Sequence, residues 1–141
     1  MFAMLPPDGR YLFGRVVSAD ANPLGVGGAL LIYVYGSRSD DKRLIPALSP
    51  SCLLVPPMMT NKLPWSKGYF EFLENRTLLK EDTLKVHCFA RTWTNPKQYF
   101  TEDGTRLPGP VEPVGSWGLE SFRTIDDKIS KALGIPLAPE E

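Results

Sequence analysis

The stretch Ala29-Leu30-Leu31-Ile32-Tyr33-Val34-Tyr35 decides the fold. It is almost wholly Leu, Ile, Val and Tyr, and glycines at 28 and 36 bound it. Branched and aromatic side chains suit a pleated, buried surface, so this run predicts a central strand. Upstream, Phe2–Leu5 and Tyr11–Ser18 are two further apolar runs separated by Pro7-Asp8-Gly9. Proline presets the first turn angle and glycine accepts positive φ, which predicts a hairpin. Pro23 and Gly25-Val26-Gly27-Gly28 then form a loop leading into the central strand.

Downstream, Gly36–Lys42 reads as a polar connection. Pro46, Pro50, Pro56 and Pro57 interrupt the following stretch and leave room only for a short strand at Cys52–Val55. Tyr69–Leu73 and Leu84–Ala90 read as strands, the second carrying His87 and Cys88. Tyr99–Thr101 and Thr105–Leu107 flank Glu102-Asp103-Gly104, a second hairpin signal.

The clearest helix comes late. Ile125, Ile129, Ala132 and Leu133 recur at spacings of three and four, which makes one apolar stripe. Thr124 is the expected N-cap, with Asp127 in the capping-box position. Gly134 and Pro136 supply the stop. A short amphipathic helix over Ile125–Leu133 follows, with a tail beyond Pro136 expected to fray. Many short strands, two hairpins and one late helix predict an α+β domain: a mainly antiparallel, curled or barrel-like sheet with a short C-terminal helix.

A chain of 141 residues fits one domain and needs no metal or disulfide to hold a core. Its 16 basic and 16 acidic residues cancel, so no basic stripe points to nucleic acid and no acidic excess points to mimicry of it. Met1–Leu5 lacks the charged start of a signal peptide, and no stretch reaches the ~20 apolar residues of a membrane span. The expected location is the cytoplasm, where Cys52 and Cys88 would be buried, reduced thiols.

Chemistry finds little purchase. One histidine cannot build a metal centre of several imidazoles. His87 and Cys88 are adjacent, and neighbours on a strand point to opposite faces, which argues against a nucleophile–base pair. The Gly25–Gly28 run precedes a strand where a phosphate loop would need a helix. The pairs Asp40-Asp41 and Asp126-Asp127 lack calcium-loop spacing and read as a solvated turn and a helix start. No catalytic residue, cofactor or metal ligand is implied. Of Trp65, Trp93 and Trp117, the first and last read as core or core-edge residues. Trp93 lies in the polar, turn-rich segment Arg91-Thr92-Trp93-Thr94-Asn95-Pro96, which has the composition of an interface anchor.

Several blocks of the chain resemble immunity protein family 26 of bacterial polymorphic toxin systems. They are Phe2–Leu5, Asp8–Tyr11 with Phe13–Val17, Leu30–Tyr35, Leu54–Pro57, Thr60-Asn61, and Trp65 with Lys67–Phe70. Near the end come Glu112–Gly115, Trp117–Leu119, Thr124–Asp127 and Ala132–Pro136. The Pro-rich Ala47–Pro50 and the loop Arg91–Lys97 match nothing in that pattern. The resemblance implies a cytoplasmic, non-enzymatic protein that binds and neutralises a cognate protein toxin. A protein-binding adaptor unrelated to toxins is the alternative, and an enzyme the distant third. Because partner choice in a binding module lives in loops, the expected contact residues are Arg91, Trp93, Lys97 and Tyr99, with Asp40 and Asp41 offered to a basic toxin face.

Overall fold

The structure is a computed structural model, and it describes residues 1–22 and 28–138. Its strands are β1 (Phe2–Met4), β2 (Tyr11–Ala21), β3 (Ala29–Ser39), β4 (Met58–Thr60), β5 (Glu71–Phe72), β6 (Cys88–Arg91), β7 (Gln98–Phe100), β8 (Arg106–Leu107) and β9 (Val114–Ser116). A four-residue helix α1 (Leu63–Ser66) and the terminal helix α2 (Phe122–Leu133) complete the set, with a 3-10 turn at Lys80–Asp82. The first sheet has the order β4-β3-β2-β1-β5 and the second β8-β7-β6-β9. Pairings between the strands are antiparallel except β6 with β9. This is the expected α+β class with mostly antiparallel sheets. Neither sheet closes on itself, so the curl stops short of a barrel.

β3 is the spine of the first sheet, and its alternation explains the layering. Ile32 and Val34 face a core of Phe2, Met4, Leu12, Val55, Met58 and Phe70, which Ile125 and Ile129 of α2 cover. Leu31 and Ala29 face the other way, onto Phe89 and Trp117 of the second sheet's side. Farther along that opposite face, Tyr33 and Tyr35 lie buried. The order is therefore helix, five-stranded sheet, four-stranded sheet. Gly14 of β2 belongs to the helix-side face, where an added Cβ would run into the Phe2 ring.

The helix runs longer than its apolar stripe. Ser121, not Thr124, is the N-cap, and its side chain accepts from the Thr124 backbone N–H at 3.1 Å. An apolar Phe122 and a basic Arg123 hid the first turn from a reading based on periodicity. Gly134 ends the helix at φ 71°, a left-handed conformation that a β-carbon would strain. Ile125 and Ile129 are fully buried, whereas Leu133 lies only half-buried against the core margin.

Other expectations need correction. Cys52–Val55 forms no strand but a single bridge, Tyr35 to Leu53, because the surrounding prolines leave too few N–H donors for a ladder. Strand β3 continues through the supposed polar connection to Ser39, held by Arg38, which forks onto Asp8 at 2.5 Å and donates to the Arg10 carbonyl at 2.6 Å. That guanidinium holds the Asp8 carboxyl below its ordinary range. Tyr69–Leu73 shrinks to two paired residues, and β6 begins at Cys88, leaving His87 just outside it. Cys88 is buried, but Cys52 is exposed. The glycine run at 25–27 and the last residues of the tail, 139–141, lie outside the described residues.

Tyr69 anchors the helix from the side: its hydroxyl donates to Asp126 Oδ1 at 2.8 Å. Burial first, then that carboxylate, push its pKa far above the ordinary tyrosine value. The folded state therefore holds a proton that the unfolded chain releases near pH 10. Stability is fully present below that pH and is lost as pH rises above it. Urea melts between pH 8 and about 11 should show this alkaline loss, and Tyr69→Phe should flatten it. An unchanged slope in the variant would remove Tyr69 from the account.

Candidate functional site

Strand β6 and the β7 hairpin build the site around Arg91. Register pairs Phe89 with Phe100, Ala90 with Tyr99, and Arg91 with Gln98. Alternation puts Phe89, Arg91 and Phe100 on the face turned to the first sheet and Tyr99 on the other. Trp117, just after β9, joins from the side, its backbone N–H donating to the Ala90 carbonyl at 3.0 Å. Its indole tilts onto Phe100 with ring centroids 4.6 Å apart.

The Arg91 guanidinium lies over this aromatic bed, 4.7 Å from the Phe100 ring and 5.8 Å from those of Trp117 and Trp93. Cation–π attraction suits a planar, weakly hydrated cation in that position. Its hydrogen bonding is poor. Nη1 reaches Gln98 Oε1 at 3.3 Å, and Nε is buried without a partner. Among the described residues no carboxylate pairs with it. Thr94 Oγ1 donates to the Arg91 carbonyl at 3.0 Å and shapes the turn that lifts Trp93 away from the body. Trp93 is 70% exposed, the most exposed of the large apolar side chains described.

The six expected contact residues do not form one surface. Arg91, Trp93 and exposed Lys97 share the β6–β7 loop, while Tyr99 is half-buried on the far face of β7. Asp40 and Asp41 follow β3 at the end away from Ala29, which packs in the Phe89–Trp117 cluster. Eleven residues of strand separate the two ends by roughly 35 Å. Asp40 is already paired with Arg10 at 3.3 Å, and Asp41 Oδ1 accepts from the Arg43 backbone N–H at 2.9 Å. Both carboxylates work locally.

Sequence reasoning missed a buried polar chain on the same face of the first sheet. Tyr33 OH lies 2.6 Å from His87 Nε2 and accepts from the Leu84 N–H at 2.9 Å. His87 Nδ1 lies 2.6 Å from Glu102 Oε2. Beside it, Arg15 Nη2 donates to the carbonyls of Arg76 and Thr77 at 3.2 and 2.9 Å, with Nη1 3.4 Å from Asp82. Such a carboxylate–imidazole–phenol chain can pass a proton, yet Tyr33 is fully buried and lines none of the cavities described. The chain fastens Leu84, His87 and the Glu102 turn onto β3, while Arg15 holds Arg76, Thr77 and Asp82 to β2. Cys88 turns elsewhere, its sulfur accepting from the Val111 N–H at 3.5 Å. A signal existed in the tyrosines at alternate positions of an apolar strand, since a buried phenol needs a partner.

A groove of about 370 Å³ runs between Pro56-Pro57, β9 and α2. Of its two lysines, Lys128 is engaged with the Glu120 carboxylate and with Ser116 Oγ at 3.1 Å, and Lys131 is exposed. Among the described residues no group of three or more His, Cys, Asp and Glu side chains could hold a metal ion. No described helix is long and apolar enough to cross a membrane.

Comparison with curated proteins found no match, and comparison with solved structures found none either. The family model of immunity protein 26 does match, over residues 1–99. That span holds the whole first sheet, β6, and the loop bearing Arg91, Trp93 and Lys97. The C-terminal blocks, from Glu112 onward, lie beyond it. With 99 of its 141 residues covered, the chain belongs to the immunity protein 26 family.

Proposed function

We propose that this chain is one binding domain that neutralises a cognate protein toxin in the cytoplasm of the producing cell, and that it does so by stoichiometric binding, without catalysis. Family membership supports the class of function. The observation that carries the surface is the exposed Trp93 beside an Arg91 that has no carboxylate partner among the described residues. Large amphipathic side chains of this kind dominate binding energy where a partner buries them. The Tyr33–His87–Glu102 chain is read as structural because its phenol is sealed from solvent. An adaptor role unconnected with toxins is the rival, and the same surface would serve it.

The test is co-expression with toxin domains drawn from the genes neighbouring this one, followed by titration of purified protein against toxin activity. A binder protects in proportion and saturates at a fixed stoichiometry, whereas a catalyst protects at trace amounts. Trace-level protection would sink the proposal, and absence of any protection would favour the adaptor. Cys88→Ser should neutralise as well as the parent, because its sulfur faces Val111 and not the His87 ring.

A further inference from the structure

The aromatic bed holds a guanidinium whose natural counter-charge is missing, and the toxin-binding reading can be deepened on that basis. We infer that the Arg91 guanidinium receives an aspartate or glutamate side chain from the protein partner, with Trp93 closing over the contact. Three observations converge. Arg91 is half-buried, has a single hydrogen bond to a neutral amide, and has no carboxylate partner among the described residues. The other cations of its neighbourhood, Lys97 on the same loop and Arg106 opposite Phe100, are exposed and have no ion-pair partner among the described residues, so with Arg91 they outnumber the two carboxylates of the hairpin turn, Glu102 and exposed Asp103. The nearest carboxylate on the hairpin turn, Glu102, is engaged with His87. The guanidinium lies over the Phe100 ring at 4.7 Å with one hydrogen bond, from Nη1 to Gln98, and its planar fork is suited to bidentate pairing with a carboxylate.

A phosphate could occupy the same fork, with a base stacked on Trp93. Overall charge balance and the family favour a protein partner.

The probe is a purified toxin domain that this protein is shown to neutralise, with affinity measured by calorimetry and folding by thermal melts. Arg91→Glu should weaken binding ~100-fold or more, and Arg91→Gln ~10-fold or more. One Asp→Lys or Glu→Lys reversal in the toxin should restore much of the Arg91→Glu loss. Should Arg91→Glu fail to fold, Arg91→Gln and Trp93→Ala, whose side chain is solvent-exposed, carry the test. Parental affinity in well-folded Arg91→Gln and Arg91→Glu overturns the inference while leaving neutralisation standing. Absence of any rescuing reversal overturns it too. Binding of oligothymidylate that displaces the toxin and depends on Arg91 would replace the carboxylate with a phosphate. If the parent protein neutralises none of the neighbouring toxin domains, the functional reading falls and this inference with it.

Discussion

Gly14→Ala is expected to cost about 3 kcal/mol or more, at the upper end for overpacking a core. Its Cβ would stand 2.7 Å from the Tyr33 carbonyl oxygen on the paired strand and would overlap the Phe2 ring. Neither obstacle can yield cheaply. The carbonyl belongs to the spine of the sheet. Phe2 is fully buried, stacked on Phe70 at 4.2 Å and set edge-on to Trp65 at 5.2 Å. Close packing leaves such a ring no vacant space to rotate into. Phe2→Leu should cost something alone, yet relieve part of the strain in the Gly14→Ala background. The double variant should therefore be more stable than the sum of the singles by about 1 kcal/mol. Urea unfolding measures all four corners. A Gly14→Ala protein within a few tenths of the parent would mean that the strands are farther apart than described.

Arg15→Met should lose about 3 kcal/mol, the scale for breaking a largely buried charged cluster by removing one member. Methionine keeps the apolar stem, so the loss isolates the guanidinium. Two backbone carbonyls and the Asp82 carboxylate lose their donor at once. Arg76 and Thr77 are exposed and can recover water, which limits the cost. Arg15→Lys should recover only part of it, since one ammonium cannot reproduce the fork. Hydrogen exchange gives the sharper readout: amides of residues 76–87 should open locally, while β2 and β3 exchange only through global unfolding. Uniform loss of protection would show that Arg15 supports the whole sheet and not that segment.

Legibility followed periodicity. Ala29–Tyr35 announced the spine because every residue in it suits a strand buried on both faces, and such runs need no context. The Gly-containing connection Glu102-Asp103-Gly104 announced β7 and β8 for a similar reason. Met58–Thr60 and Val114–Ser116 were invisible, since three residues carry no period and each strand exists only through a distant partner. The site was half legible. Arg91 and Trp93 were identifiable by residue type, but the bed beneath Arg91 joins Phe100 and Trp117 through pairing that no local pattern encodes. Asp40 and Asp41 attracted notice as an unexplained acidic pair. Arg10 and a tight turn explain them once the chain is folded.

The path from β9 into α2 has a bearing on how the chain folds. Val114–Ser116 pairs with β6, Leu119 bridges to Met59 of β4, and Glu120 N–H donates to the Met59 carbonyl at 2.7 Å before the helix begins. One late segment thus stitches both sheets and delivers the side chains that cover Phe2 and Met4. Contacts this remote in sequence are slow to form, on the millisecond-to-second scale common for such topologies. On the ribosome the first sheet would stand with one apolar face open until Ile125 and Ile129 had left the exit tunnel. Chaperone capture at that face, in a nascent chain halted before the helix, is the biological counterpart of that delay.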